Sequence, residues 1–321
     1  MPTIFEFEKP VVELECKITE LKNFAREKNL NLDEEISTLE RRLVALKAEI
    51  YGNLTPWQKV LMARHPERPS TRDYIERLFT DFIELHGDRC FGDDPAVIGG
   101  IGRFEGLPVT VVGHQKGHDT KENLACNFGM AHPEGCRKAL RLMYQAEKFR
   151  RPVICFVDTP GAHCGIGAEE RGQAEAIARN IRVMSTLKTP IIVIITGEGG
   201  SGGALALGVG DCVLMQEHAI FSISSPEACA SILWKDASRA REAADALKLT
   251  ADDLLRFRVI DEIVPEPLGG AHRQPAEATE ILRKVVADKL ETLKAFSIEE
   301  LVSRRYQRYR GIGTEFLQEV T

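Results

Sequence analysis

No apolar run in this 321-residue chain approaches the ~20 residues that a membrane-spanning helix needs, so no spanning segment is expected. Closely paired cysteines are missing as well. The eight stand at 16, 90, 126, 136, 155, 164, 212 and 229, with no Cys-x-x-Cys pair and no short Cys/His ladder. A structural zinc site is therefore not expected. Cys155 and Cys212 fall inside apolar runs, where a thiol behaves as a small buried hydrophobe. The start, MPTIFEFEKP, has no basic segment leading into an apolar one, so no secretory signal is expected, and the cytoplasm is the expected compartment. There is no basic excess either. The formal net charge is −6, which argues against a nucleic-acid partner. With 43% hydrophobic residues, the chain can bury a substantial core.

What is present divides into three stretches: residues 1–85, 86–264 and 265–321. In the first, apolar residues recur at Leu14, Ile18, Leu21 and Ala25, then at Ile36, Leu39, Leu43, Leu46 and Ile50. That spacing predicts a helical hairpin with a coiled-coil-like seam, turning at Asn31–Asp33 with Asp33 as cap of the second helix. Thr55-Pro56 opens a short helix, and Thr71 is expected to cap another running to about Leu85. Such an arm packs either on its own core or on a partner. From residue 86 the pattern becomes α/β. Gly99–Phe104 and Val109–His114 flank a hairpin turn, and apolar runs at 153–157, 191–195 and 212–215 read as strands covered on both faces. Amphipathic helices carry Cys136, Ala139, Leu140, Met143 and Ala146, then Ala174, Ile177, Ala178, Ile181 and Met184. The tail ends in helices, with the string RRYQRYR at 304–310 expected on a surface helix or a subunit contact.

The chemistry is expected in two strand-end loops. In IIVIITGEGGSGGALALGVG (191–210), five glycines stand within seven residues: Gly197, Gly199, Gly200, Gly202 and Gly203. Bare backbone N–H groups there, with a helix start behind them, suit an oxyanion or a phosphate. Gly197-x-Gly199-x-x-Gly202 also matches a dinucleotide fingerprint, but only about eight residues precede the next turn, too few for the usual crossover helix. A turn needed only for close helix–strand packing is the remaining alternative. The second loop, DTPGAHCGIGAEERGQ (158–173), follows the apolar strand VICFV. Ligands of α/β folds gather at such carboxyl ends. Glu169 and Glu170 there also suit a plain helix start. The chain lacks a Gly-x-x-x-x-Gly-Lys-Ser/Thr phosphate loop and a Met-Lys-Met biotin-attachment string.

DTPG (158–161), GAEERGQ (167–173), GEGGSGGALALGVGD (197–211), SPEACASILW (225–234) and EPLGGAHR (266–273) resemble the carboxyltransferase alpha subunit of bacterial and plastid acetyl-CoA carboxylase. HQKGHDTKEN (114–123), NFGM (127–130) and ARHPERP (63–69) fit the same family, so the resemblance spans nearly the whole chain. It implies a crotonase-like α/β spiral of ββα units and an alpha-two beta-two assembly with a zinc-ribbon-bearing beta subunit. It also implies work alongside biotin carboxylase and a biotin carboxyl carrier protein, in the supply of malonyl-CoA for fatty acid synthesis. The implied reaction moves a carboxyl group from carboxybiotin on that carrier to acetyl-CoA, giving malonyl-CoA, with no metal held by this chain and no activity without the beta subunit. By the same resemblance, the backbone amides of Gly203 and Ala204 hold the biotin carbonyl oxygen, with Gly202 shaping the turn. Gly161, Gly165, Gly199 and Gly200 line that pocket. Lys116 and Lys121 are candidates for CoA phosphates, or else belong to a solvated loop. One departure stands out: the family string DTPG-Ala-Tyr-Pro-Gly becomes His163-Cys164 here. No third group is evident to make Cys164 a nucleophile. A stand-alone acyl-CoA enzyme of the same fold, or a scaffold subunit, are the competing readings.

Overall fold

The structure, a computed structural model, describes residues 3–314. Its frame is one mixed sheet. The strands are β1 (Thr80–Glu84), β2 (Val97–Phe104), β3 (Leu107–His114), β4 (Val153–Thr159), β5 (Ile191–Gly200), β6 (Cys212–Gln216), β7 (Ile220–Ser222) and β8 (Glu262–Val264). They lie in the order β1-β2-β3-β4-β5-β6-β8, with β7 beside the far end of β5. β1–β2 and β2–β3 are antiparallel, and the remaining pairs are parallel.

Alternation along each central strand fills two cores, as a sheet covered on both faces requires. Val153, Cys155, Val157, Ile191, Val193 and Ile195 face one layer, against helices Pro133–Lys148 and Gln173–Thr186. Ile154, Phe156, Ile192 and Ile194 face the other, against Tyr74 and Ile75 and against Leu282, Val286 and Leu290 of helix Pro275–Lys294. The expected strands are all present, and all eight cysteines are unpaired, Cys155 and Cys212 among the buried ones. Among the described residues, no helix is long and apolar enough to cross a membrane.

Two local expectations are corrected. The helix expected from Thr71 to about Leu85 ends at Leu78, and residues 80–84 form the edge strand β1. Ser70, not Thr71, is its cap, closing a reciprocal box with Asp73. Pairing with β2 overrides helical propensity beyond Leu78: Ile83 lies opposite Ile101 and Glu84 opposite Gly100, and a side chain at Gly100 would overlap the Ile83 carbonyl. The second arm helix is capped by Leu32, with Asp33 as its first residue.

The hairpin itself forms as expected, as helices Lys9–Lys28 and Asp33–Gly52. Its base packs on its own chain: Val11, Leu43, Leu46, Ile50 and Tyr51 cluster with Leu54 and Met62. Glu15 adds ion pairs to Lys47 (2.7 Å) and Arg273 (2.9 Å).

The RRYQRYR string lies on a surface helix, as expected, with Arg304, Tyr306, Gln307 and Arg310 exposed, but its inner face is also an anchor. Helix Ile298–Gly311 plunges Arg305 into the core, where it is 1% exposed. Its guanidinium donates to both Asp211 carboxylate oxygens (2.8 and 2.7 Å) and to the carbonyls of Met184, Leu187 and Thr189. Tyr309 accepts from the Gly210 N–H at 2.8 Å. Removing one member of a buried, fully bonded pair strands the other, at a cost of about 3–5 kcal/mol. Arg305→Met is therefore expected to lower unfolding stability by about that amount in urea titrations; a loss under about 1 kcal/mol would show the anchor to be dispensable.

Candidate active site

The carboxyl ends of β3, β4 and β5 meet around a cleft of about 240 Å³, whose lining includes Arg64, Arg68, Lys116, Asp158, Pro160 and Glu198. A larger hollow of about 470 Å³ lies by the C-terminal helices. There Lys289, Arg305 and Arg308 are already paired with Glu262, Asp211 and Asp261.

Along β4 and β5 the register is constant from Val153↔Ile191 to Val157↔Ile195, then resumes at Thr159↔Gly199. β5 thus spends three residues, 196–198, where β4 spends one, Asp158. A strand that bulges leaves backbone groups without ladder partners, and side chains supply them here. The Glu198 N–H donates to Asp158 Oδ1 (2.9 Å), and Arg68 Nε donates to the Thr196 carbonyl (2.5 Å). Beyond the bulge, β5 leaves β6 and pairs with β7 through Glu198↔Ile220 to Gly200↔Ser222.

The bulge carries a charged network. Lys116 Nζ sits 2.8 Å from both Asp158 Oδ1 and Glu198 Oε2. Arg64 Nε donates to Glu198 Oε1 and its Nη1 to Glu227 Oε1, each at 2.6 Å. Behind it, Arg68 is bidentate on buried Glu266 and also reaches Gln216, which exchanges hydrogen bonds with Tyr74. Burial opposes charge on Glu198, yet Lys116 and Arg64 hold its carboxyl down to about 2. Burial likewise opposes charge on Lys116, yet Asp158 and Glu198 raise it above the ordinary lysine range. His114, at the end of β3, is the opposite case. Burial, aided by nearby Lys116, pushes its imidazole down to about 3, so it stays neutral beside the Gly203 and Phe156 backbones.

The glycines are packed backbone to backbone. A Cβ on Gly200 would overlap the Pro160 carbonyl, and one on Gly203 would overlap Gly161 and stand 2.5 Å from the Ala162 nitrogen. One on Gly199 would come 2.8 Å from the Phe221 ring. Thr159 folds the facing turn, its hydroxyl donating to the Gly161 carbonyl (2.7 Å) and accepting from the Gly161 N–H (3.1 Å). Gly161, Gly199, Gly200 and Gly203 are thereby brought together. Gly202 has room, with only Ile177 within reach, at 3.8 Å. Ala204 is buried within the short helix Ser201–Leu205. Gly165 lies further along, capping helix Ile166–Glu170 beside His163. Lys121 is exposed on helix Thr120–Ala125 and is not among the cleft-lining residues.

Sequence reasoning missed Arg64, Arg68, Glu198 and Glu227. The available signal was a glutamate among glycines at the end of an apolar strand, since a buried charge demands partners. Gly199-Gly200-Ser201-Gly202-Gly203 also fits a Gly-x-Ser-x-Gly elbow. Ser201 does sit at φ 50° between strand and helix, but no histidine hydrogen-bonds it among the described residues. His163 is engaged elsewhere, 3.0 Å from the Asn127 amide and against the tilted ring of His132, so neither it nor Cys164 forms a nucleophile–base pair. Glu8, His65 and His272 cluster at ligand distance. However, both His65 nitrogens are occupied, by Thr3 and Glu67, and Glu8 is held by Tyr51 (2.7 Å). The trio clasps the N-terminal segment and leaves His65 no lone pair for a cation.

The mixed sheet, with two facing glycine turns at its strand ends, has the crotonase-like α/β fold. Solved structures of similar fold include transcarboxylase 12S (20% identical, TM-score 0.54, covering 67% of this chain). A Pseudomonas malonate decarboxylase hetero-tetramer in complex with coenzyme A is also similar (15%, TM-score 0.58, 71% of this chain and 89% of that one). This chain spans only 42% of the transcarboxylase chain. The model for acetyl co-enzyme A carboxylase carboxyltransferase-like proteins matches residues 4–313, and the chain belongs to that family. It is 62% identical over 98% of both chains to the acetyl-coenzyme A carboxylase carboxyl transferase subunit alpha of Carboxydothermus hydrogenoformans. It is 58% identical, over 98% of this chain and 94% of the relative, to that of Heliobacterium modesticaldum.

At the rim of the cleft, His118 bonds the Pro66 carbonyl (3.2 Å) and Asp73 (2.7 Å) through its two nitrogens. Donating through both requires the imidazolium, and the Asp73 hydrogen bond raises its pKa to about 9. Because the folded pKa lies above the unfolded ~6.5, this clamp contributes fully below pH ~6.5 and is lost as pH rises through about 9. The pair is part-exposed and screened, so the contribution is at most about 1 kcal/mol. The stability gap between wild type and His118→Gln should therefore shrink between pH 6 and pH 9.5; a constant gap would refute the clamp.

Proposed function

We propose that this chain is the alpha half of a shared active site that, with a beta subunit, transfers a carboxyl group from carboxybiotin to acetyl-CoA, yielding malonyl-CoA. The observation that carries the reading is the glycine cradle. The start of helix Ser201–Leu205 is pressed on Gly161–Ala162 so closely that no side chain fits between them. The first N–H groups of a helix lack intrahelical partners, and preorganised donors of that kind are what a developing ureido oxyanion needs. Carboxybiotin supplies a labile carboxyl group and, once that is lost, a basic ureido nitrogen able to accept a proton from the acetyl methyl. The chain's own part is to hold the ureido oxygen on the amides of Gly203 and Ala204, with Gly202 giving the turn its shape. Gly161, Gly165, Gly199 and Gly200 line the same pocket in this reading. Lys121 is the solvent-facing lysine left for a CoA phosphate, whereas Lys116 is occupied by Asp158 and Glu198.

A beta-subunit partner is supported by apolar side chains left bare beside the cleft. Ile223, Ile232 and Leu233 are 79%, 66% and 63% exposed, around helix Pro226–Trp234, more than a free surface ordinarily keeps together. A carrier protein and a biotin carboxylase complete the proposed cytoplasmic assembly, with the arm of residues 1–85 and the tail of 265–321 packed around the 86–264 core.

The test is malonyl-CoA decarboxylation with biocytin as carboxyl acceptor, for the chain alone and after mixing with a beta subunit. Activity is expected only in the mixture; turnover by the chain alone would favour an independent acyl-CoA enzyme, and none in a verified complex a scaffold. Gly203→Val should cut transfer by at least about 10²-fold, with assembly checked by sedimentation because overpacking also costs about 1–3 kcal/mol. Undiminished activity in an assembled variant would remove this turn from the mechanism. Cys164→Ser is expected to leave turnover within about twofold, since Cys164 has no base partner; abolished turnover in folded protein would revive it as a nucleophile.

A further inference from the structure

The cradle is built from two loops on different strands, which the β4–β5 ladder joins only at Thr159↔Gly199. The ladder breaks at Asp158 and resumes only at Thr159↔Gly199, immediately before the glycines that carry the proposed chemistry. Across the break, the direct strand-to-strand ties come from side chains. Asp158 Oδ1 accepts from the Glu198 N–H, and its carboxylate rests on Gly197, where a Cβ would lie 2.5 Å away. Lys116 Nζ then bridges Asp158 on β4 and Glu198 on β5, at 2.8 Å each. Arg64 fixes the other Glu198 oxygen and reaches Glu227 on helix Pro226–Trp234. All three bridging groups are largely withdrawn from water: side-chain exposure is 19% for Lys116, 7% for Asp158 and 9% for Glu198. Charge pairs held that way are weakly screened and geometrically demanding.

The geometry points to Lys116 as a positioning residue. Through Asp158 and Glu198 it sets the separation of the Thr159–Ala162 turn from the Gly199–Ala204 turn, and with it the aim of the cradle amides. This rests on the carboxyl-transfer reading above and differs from a CoA-phosphate contact. Two of the three ammonium protons already serve carboxylates, whose charges leave no net positive charge to offer a phosphate. It also gives Arg64 and Glu227 a place in the same device, linking the exposed apolar helix to the cradle.

The experiment uses the assembled complex with the beta subunit carrying Lys116→Met, Lys116→Arg or Glu198→Gln. It combines malonyl-CoA:biocytin kinetics with amide hydrogen exchange over residues 196–204. Displacing reacting groups by about 1 Å costs about 10²-fold in rate. Lys116→Met should accordingly lose on the order of 10² in kcat with KM for malonyl-CoA unchanged within about twofold, and Lys116→Arg should recover most of it. Exchange should quicken selectively across 196–204. A raised KM with kcat retained would assign Lys116 to the CoA phosphates and overturn the proposal. Unchanged kcat and unchanged exchange in a folded complex would overturn it too. Should Lys116→Met fail to assemble, Glu198→Gln decides: it keeps the shape and loses the charge, and a kcat and exchange equal to wild type would refute positioning. A wild-type complex with no transcarboxylation refutes the proposed function instead, and the exchange measurement then still tests whether Lys116 holds the two turns.

Discussion

The register break between β4 and β5 is the constraint on which the rest of the cleft depends. Two extra residues on β5 force its last turn of chain away from β6 and toward β7. That swing lays Gly199–Gly203 over Pro160–Ala162. A bulge in the middle of a buried sheet exposes N–H and C=O groups to an apolar interior, where leaving one unpaired costs about 1–3 kcal/mol. Asp158 and Arg68 meet those groups, but each brings a charge that must itself be neutralised. Lys116 does so for Asp158 and Glu266 for Arg68. The network is thus a consequence of the bulge, not an independent ornament, and its members are hard to remove singly because each would strand another.

The same logic recurs at both ends of the chain. Glu8, 1% exposed, is held against burial at a pKa of about 2 by His272 and Tyr51, tying the N-terminal segment to the 266–273 loop. Arg305 does the equivalent for the last helix through Asp211. Apolar contacts give these appendages their area, while buried charges fix where each one docks. The clasp and the cleft network also meet, because Glu266 accepts from Arg68 on one side and from the His218 and Ala271 N–H groups on the other.

Glycine serves two separate purposes around the cleft. At Gly200 and Gly203 the facing backbone occupies the space a side chain would need, so the residues are dictated by packing whatever the chemistry. At Gly202 that space is open, and packing alone gives no reason for glycine there. A reading of the string as packing glycines only is therefore right for some positions and insufficient for others.

Local periodicity and composition were enough for the helical hairpin, the β2–β3 turn, the both-face-buried strands and the two strand-end loops, because each depends on side chains near in sequence. Motif strings in order were enough for the family and its crotonase-like α/β fold. The edge strand β1 was hidden, since TDFIE becomes a strand only by pairing with β2. The burial of Arg305 was hidden too, because its acceptors lie 94 to 121 residues away. So was the network of Lys116, Asp158, Glu198 and Arg64. A lysine in a polar loop, an aspartate in a motif and a glutamate among glycines carry no local sign of one another. Sequence by itself determined which segments are strand, helix or glycine turn, through short-range sterics and hydrophobic alternation. Only the tertiary structure decided which charges are buried together, because the cost of an unpaired charge arises once the sheet has closed around it.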